Sequence, residues 1–434
     1  MLIHNQNAER SPYPSELKEI LSIEKAQESR AWLLGWDKIA SNATPLYELP
    51  GLAKKLGVGS LSIKDESVRS ELGSFKALGA PIALVRLILR AWPDQKLDPV
   101  AMFEGKYREM LTHFTVVSAT DGNHGKGLAA AAQAIGCHCV IVLHANVSVE
   151  REQAIAAYGA EIVRIKGNYD ESVEEAARLA KANGWHVVSD TSYEGYEDIP
   201  RDVMQGYGVI AAEIIEQTDS KADKPAFTHV VLQGGVGGLA AGLISFFWEF
   251  HGSHRPRFIV VEPQQADCLL QSAIAGRPSR ATGAIDSVMA GLACGETSPL
   301  AWRFLQPTVD EFMTITDDDA VAAMRTLACG SEGDMPIVAG ESGVAGLAGI
   351  TALLADRNLR ARAGLDKNAS VLLINTEGAT APETYRELVG QSAEAVVERQ
   401  SEWLDDGRLH MVQEDWLTDR CGSNTETHRS TGPQ

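Results

Sequence analysis

Strand-length apolar runs that each lead into a segment of helical period constrain this chain more than any other feature. The runs at 113–118, 138–143, 160–166, 185–189, 228–232 and 258–261 precede helical patterns at 125–134, 149–158, 171–182, 200–217, 238–250 and 266–275. A last run, 370–375, comes after a helical stretch at 343–355. Neighbouring parallel strands need a crossover long enough to hold a helix, so the alternation predicts parallel sheets covered by helices. The runs are apolar almost throughout, which is the pattern of strands buried on both faces. They fall into two groups. The expectation is an α/β chain with two open, mostly parallel sheets flanked by helices and a cleft between two domains. Residues 1–80 with 220–395 would form the larger domain, 81–219 the smaller, and 396–434 a C-terminal extension.

Charge narrows the partners. The 434 residues hold 39 Lys plus Arg against 58 Asp plus Glu, a net charge of −19, with no run of five basic residues. Such a surface repels phosphate backbones, so neither nucleic acid nor an anionic membrane is expected as a partner. The longest apolar run, 344–355, is interrupted by Gly and Thr and falls well short of the roughly 18 residues a membrane span requires. The N-terminus has neither the basic region nor the apolar core of a signal peptide, and the expectation is a cytoplasmic protein. Cys137 and Cys139, the close cysteine pair, would point to one face of a strand as core thiols, and no metal site is expected. Residues 422–434 carry no aliphatic or aromatic side chain and are expected to be a disordered tail. Trp403, Leu404, Leu409, Met411, Trp416 and Leu417 before it are expected to dock on this chain or on a partner.

Ligands of open α/β sheets sit at the turns that follow the strands, and three such segments stand out. In the first, Gly234-Gly235-Val236-Gly237-Gly238 joins a strand to a helix. Glycine lets backbone amides turn toward a phosphate, and the helix adds unpaired N–H groups and the positive end of its dipole. No Gly-Lys-Ser/Thr follows, which argues against a nucleoside triphosphate loop. Gly235-x-Gly237-x-x-Ala240, with Glu262 ending the next strand, imitates a dinucleotide fingerprint. A plain glycine turn that lets a helix pack closely explains the segment as well. In the second, Ser118 to Gly127 crowds hydroxyl, carboxylate, amide and imidazole groups into one turn, more than a solvated turn requires. The third is Ser62-Ile63-Lys64-Asp65-Glu66-Ser67, followed by Ser74-Phe75-Lys76-Ala77-Leu78-Gly79. Alone, Lys76 would read as a surface lysine.

Taken in order, the segments resemble one family. Lysine in S-F-K, a G-N-H-G turn, a glycine phosphate loop and a strand ending in a small hydroxyl residue form the pattern of fold type II pyridoxal phosphate enzymes, the tryptophan synthase β group. Within it the chain resembles the diaminopropionate ammonia-lyases, through A-T-D-G-N-H-G (119–125), D-T-S-Y-E-G-Y-E (190–197), I-P-R-D (199–202), M-A-G-L-A-C-G-E (289–296) and N-T-E-G (375–378). The likeness spans about residues 30–395.

The resemblance implies pyridoxal 5′-phosphate (PLP) as cofactor and a homodimer. It makes Lys76 the Schiff-base lysine, sets Asn123 against the cofactor's 3-hydroxyl, assigns the phosphate to Gly234, Gly235, Val236, Gly237 and Gly238, and places Thr376 against the ring nitrogen. The reaction implied is α,β-elimination of 2,3-diaminopropionate to pyruvate and two ammonia. Asp121 stands where most relatives carry a hydroxyl or small residue, and with Lys76 it would serve the two substrate enantiomers: Lys76 the L isomer, Asp121 the D isomer. Asp190 would be a second carboxylate near the β-amine, although a turn cap before Thr191 and Ser192 also explains it. Glu341 could approach the cofactor, His124 could orient the turn, and Lys126 could be a solvated first-turn residue. Cys268 and Cys294 match positions that form a disulfide in some members; in a reducing compartment they are expected as thiols.

Glu71 departs from the family, standing where glycine is usual before the lysine. A positive φ there would cost about 1 kcal/mol, and the charge would lie near the entrance. Three other readings compete. A serine or threonine dehydratase of the same fold should lack Asp121, a nicotinamide dehydrogenase would leave Lys76 and Thr376 without a role, and a catalytically dead homologue would not keep Lys76 and Asn123.

Overall fold

The computed structural model describes residues 1–120, 122–167 and 169–420. Asp121, Asn168 and 421–434, together with the side chains of Asp170 and 407–420, lie outside the described residues, and with them the expected disordered tail.

Among the described residues, eleven strands form two sheets. They are β1 (Leu2–His4), β2 (Leu46–Glu48), β3 (Ser60–Asp65), β4 (Thr115–Ala119), β5 (His138–Leu143), β6 (Glu161–Arg164), β7 (His186–Val187), β8 (His229–Gln233), β9 (Arg257–Pro263), β10 (Val309–Ile315) and β11 (Ser370–Asn375). The larger sheet runs β1-β10-β9-β8-β11-β3-β2 and the smaller β6-β5-β4-β7. All pairings are parallel except at the two edges of the larger sheet, where β1 on β10 and β2 on β3 are antiparallel. The seven expected strands are β4 to β9 and β11.

Four strands were not anticipated, for two physical reasons. β1 and β2 have three residues each, too few to show a period. β3 and β10 are interior strands that carry buried charges: Lys64 and Asp65 on one, Asp310 and Glu311 on the other. Each is hydrogen-bonded, Asp65 by neutral groups only, among them the Ser67 amide (3.0 Å) and Asn375 Nδ2 (2.8 Å). Asp310 accepts from Arg255 Nη1 (3.1 Å) and from the Phe258 amide (2.9 Å), and Glu311 from Arg257 Nη2 (2.7 Å).

β8 shows how one strand serves two layers. Val230 and Leu232 face the core shared with the helices Lys76–Ala91, Asp198–Gln217 and Gly238–His251, while Val231 faces the core under the helix Ala345–Ala355. The first of these cores is continuous across both sheets: Val116 and Ile141 of the smaller join Val230 and Phe258 of the larger through Leu78, Ile82, Val203 and Ile210. The cleft between the sheets therefore has a packed floor, and Lys76 begins the helix that forms part of it.

Behind that floor lies a buried ionic cluster that accounts for the Lys64-Asp65-Glu66 segment. Lys64 Nζ donates to Glu213 Oε2 (2.7 Å) and to the Thr44 carbonyl (2.7 Å). Arg69 donates to Glu66 Oε2 (2.8 Å) and Glu213 Oε1 (2.7 Å). Two cations face two carboxylates, so these residues fix the start of the segment that leads to Lys76.

No helix among the described residues is long and apolar enough to cross a membrane. The C-terminal helix Ala393–Arg420 is anchored to this chain near its start, where Val396 is buried and Trp403 Nε1 donates to the Gly333 carbonyl (2.9 Å), whereas the Trp403 and Leu404 side chains are exposed.

Candidate active site

The strand ends β3, β4, β8 and β11 open onto the same cleft. After β8 the chain turns through Gly235 (φ 67°) and Gly237 (φ 99°), left-handed conformations that a side chain resists. A Cβ on Gly234 would lie 2.5 Å from Glu262 Cγ, so the loop passes over β9 only as glycine. The carbonyls of Gly235 and Val236 are tied down by Cys268 Sγ (3.4 Å) and the Ser298 amide (3.0 Å). Among the described residues no acceptor meets the amides of Gly235, Val236, Gly237 and Gly238, and the helix Gly238–His251 begins there. Four free amides at a helix N-terminus fit a phosphate. Glu262, by contrast, is consumed internally: it accepts the Leu269 (2.9 Å) and Leu270 (2.8 Å) amides and caps the helix Cys268–Ala275. Burial pushes its carboxyl up to about 8. The imitation dinucleotide fingerprint thus lacks its ribose acceptor.

Lys76 is the first residue of its helix, and its Nζ lies 2.5 Å from Asp190 Oδ2, beneath the rings of Phe75 and Tyr207. Burial alone would lower the lysine's pKa, but the Asp190 charge outweighs it and holds the amine protonated. Burial would likewise raise Asp190, and Lys76 instead holds it well below the usual carboxylate range. The turn-cap reading of Asp190 gives way to this ion pair. His124 is buried; its Nε2 meets the Val188 carbonyl (3.0 Å) and its Nδ1 faces Asp190 at 3.8 Å, with burial holding the ring neutral. A Cβ on Gly238 would lie 3.8 Å from the Asp190 carbonyl, which puts the glycine loop beside the pair.

A chain of contacts joins the remaining residues. The Phe75 amide donates to the carbonyl of buried Thr376 (3.0 Å), and Asn123 Nδ2 donates to Glu377 Oε2 in a short hydrogen bond. Lys76, Asp190, Asn123, Thr376 and the 234–238 loop therefore converge, whereas Asp121 lies outside the described residues. Sequence reasoning gave no role to Glu377, to Tyr207 or to Arg151, which donates to Glu341 Oε1 (3.0 Å). Their signal is faint: Glu377 is an acid directly after an apolar strand, and Tyr207 is one aromatic in a helix of apolar residues.

Several expectations change. Glu71 does not occupy positive φ; the left-handed residue is Gly73 (φ 75°), and Glu71 pairs with Lys38 at the rim. The anticipated strain is absent because the turn pivots two residues later. Lys126 is not solvated: its Nζ donates to the Leu72 carbonyl (3.2 Å), and burial lowers its pKa. Ser342, next to Glu341, accepts the Gly291 amide through its hydroxyl (3.0 Å). One expectation stands: Cys268 and Cys294 are thiols, not bridged to each other.

A lysine amine held against a carboxylate beside free amides at a helix N-terminus fits a phosphorylated aldehyde cofactor, and likeness to known proteins points the same way. The family described as pyridoxal-phosphate dependent enzyme matches residues 39–377. The diaminopropionate ammonia-lyase of Salmonella typhimurium is 39% identical over 360 residues, covering 81% of this chain and 89% of that protein. Its Escherichia coli K12 counterpart is 38% identical over 357 residues, covering 81% and 88%. The crystal structure of the holo E. coli diaminopropionate ammonia lyase aligns with a TM-score of 0.81 at 36% identity, covering 90% of this chain and 96% of that one. The S. typhimurium threonine dehydratase is more distant, at 28% identity over 321 residues, covering 74% of this chain and 54% of that protein. With the lysine, its carboxylate partner and the glycine cradle in the same cleft, the chain belongs to the diaminopropionate ammonia-lyases, a family of fold type II pyridoxal-phosphate dependent enzymes.

Proposed function

We propose that the chain converts 2,3-diaminopropionate and one water to pyruvate and two ammonia by α,β-elimination with PLP. The observation that carries this reading is the Lys76–Asp190 pair at 2.5 Å, beside the amide cradle of 235–238, the Gly234 amide being taken by the Val261 carbonyl (2.8 Å). The cofactor, when bound, supplies an electron-withdrawing group conjugated to Cα, which makes the Cα proton removable.

The chain's own residues supply the rest. The 235–238 amides hold a phosphate, and the Asn123 amide and the Thr376 hydroxyl hold the ring. A neutral hydroxyl at Thr376 leaves the ring nitrogen largely unprotonated, which favours elimination over transamination. Lys76 Nζ, once released, accepts the Cα proton of the L isomer. Asp190 stabilises the resulting ammonium and lies close to the β-amine, which must gain a proton as the Cβ–N bond breaks. Asp121, in the A-T-D-G-N-H-G turn, removes the Cα proton of the D isomer. The division into a larger and a smaller domain, the homodimer and a cytoplasmic location complete the reading. They rest on the two-sheet topology, on the family likeness and on the lack of a spanning helix among the described residues.

The test compares pyruvate release from D- and L-diaminopropionate with release from D- and L-serine, for the wild type and Asp121→Asn. The expected result is turnover of both diaminopropionate enantiomers ahead of serine, with Asp121→Asn lowering the D rate by about 10²-fold or more while the L rate changes little. Equal losses on both enantiomers would reject the assignment of Asp121. Faster turnover of serine would favour the dehydratase reading.

A further inference from the structure

Glu377 directly follows Thr376 and is buried, and both of its carboxylate oxygens are engaged. Oε1 accepts the Ser342 amide (3.1 Å) and Oε2 accepts Asn123 Nδ2. Its own carbonyl accepts the Gly340 amide (2.8 Å), which fixes the residue in place. Asn123 opens the helix Asn123–Ile135 that follows β4 of the smaller sheet, whereas Glu377 follows β11 of the larger, so the bond crosses the cleft. A carboxylate can only accept, and an amide group has a donor end and an acceptor end. Asn123 must therefore turn its nitrogen toward Glu377, which leaves one N–H of that nitrogen for another acceptor.

The neighbouring carboxylate does parallel work. Glu341 holds Arg151 of the helix Val149–Ala156, and the Arg151 side chain lies against Gly122, where a Cβ would come 3.4 Å from Arg151 Cδ. The turn that carries Asn123 is thus tied to the opposite sheet directly through Glu377 and indirectly through Arg151, which Glu341 holds. Burial and the nearby Glu377 charge push the Glu341 carboxyl up to about 7.

We infer that Glu377 is a positioning residue that fixes the Asn123 side chain so that an N–H, not the carbonyl oxygen, is offered to the oxygen on the cofactor ring. The inference rests on the proposed function, because it needs Asn123 to face PLP. It accounts for an acid placed directly beside a neutral ring-nitrogen partner: the acid acts through the amide.

The test titrates PLP into apo-protein of the wild type, Glu377→Gln, Glu377→Ala, Asn123→Ala and the Asn123→Ala/Glu377→Ala double variant, reading cofactor affinity and the position of the visible band of bound cofactor. A glutamine keeps the volume, but one of its ends is a donor, so it cannot accept from both Ser342 and Asn123. Glu377→Gln should therefore weaken affinity about 10-fold or more and move the band. In the Asn123→Ala background, removing Glu377 should change affinity by no more than about two-fold. Should Glu377→Ala fail to fold, Glu377→Gln decides through band and affinity alone. An unchanged band and affinity in Glu377→Gln, or an equal loss from Glu377→Ala in both backgrounds, would overturn the inference. Wild-type affinity in Asn123→Ala would overturn it together with the role of Asn123. A wild-type protein that binds no PLP would overturn the proposed function itself.

Discussion

Lys76→Ala is expected to lower kcat/KM for diaminopropionate by at least about 10⁴-fold and to abolish the visible band of the bound cofactor. The lysine supplies both the covalent attachment and the base for the L isomer, and no second lysine among the described residues reaches Asp190. The substitution also leaves Asp190 in the cleft without its cation, beside His124, which burial keeps neutral. Some loss of stability should accompany the loss of activity. The double substitution Lys76→Ala/Asp190→Asn separates the two, because it removes the unpaired charge without restoring an amine. It should recover thermal stability relative to Lys76→Ala and remain inactive. Steady-state pyruvate release with a parallel melting curve checks both parts. Recovered activity in the double variant would show that Lys76 serves only to balance Asp190.

Glu213→Ala is expected to cost about 3–5 kcal/mol of stability, far more than a surface ion pair is worth. Glu213 lies in the helix Asp198–Gln217 and faces Lys64 and Arg69, both fully buried; without it two cations keep one carboxylate, Glu66, between them. The urea midpoint of unfolding measures the loss. The pH dependence has a definite sign. Burial opposes ionisation of Glu213, but Arg69 and Lys64 outweigh it and hold its carboxyl below the ordinary value. A depressed carboxylate stabilises the fold above its unfolded-state pKa and loses that contribution as the pH falls through the native value. The stability gap between wild type and Glu213→Ala should therefore be full at neutral pH and shrink in acid. A gap that is constant with pH would assign the effect to lost packing. The same helix brings Tyr207 over Lys76, so part of the loss should also appear in cofactor affinity.

The parts of this architecture that were legible in the sequence are the local ones. Strands such as β5 and β8 are unbroken apolar runs, and a glycine turn, a G-N-H-G turn and the lysine after Ser74-Phe75 each announce themselves within a few residues. β3 and β10 stayed hidden because charges in a strand interior hide an apolar signature, and only partners far along the chain make those charges tolerable: Lys64 with Glu213, Asp310 with Arg255. The same holds within the site. Asp190 was found through its family motif, yet its meaning as the partner of Lys76 depends on a contact across 114 positions. Glu377 meets Asn123 across 254 positions, and Glu341 meets Arg151 across 190. Nothing in the local sequence around these acids states what they hold. Glu262 shows the converse error: its position after a glycine loop imitates a nucleotide-binding acid, whereas its burial and its two backbone donors make it a helix cap.

The ratio of ammonia to pyruvate formed from purified holo-protein and diaminopropionate tests the central claim most directly, with serine as the internal comparison. Elimination of the β-amine followed by hydrolysis should yield two ammonia for each pyruvate from diaminopropionate and one from serine, with the higher kcat/KM for diaminopropionate. A ratio of one from diaminopropionate, or ammonia released without any pyruvate, would contradict the account.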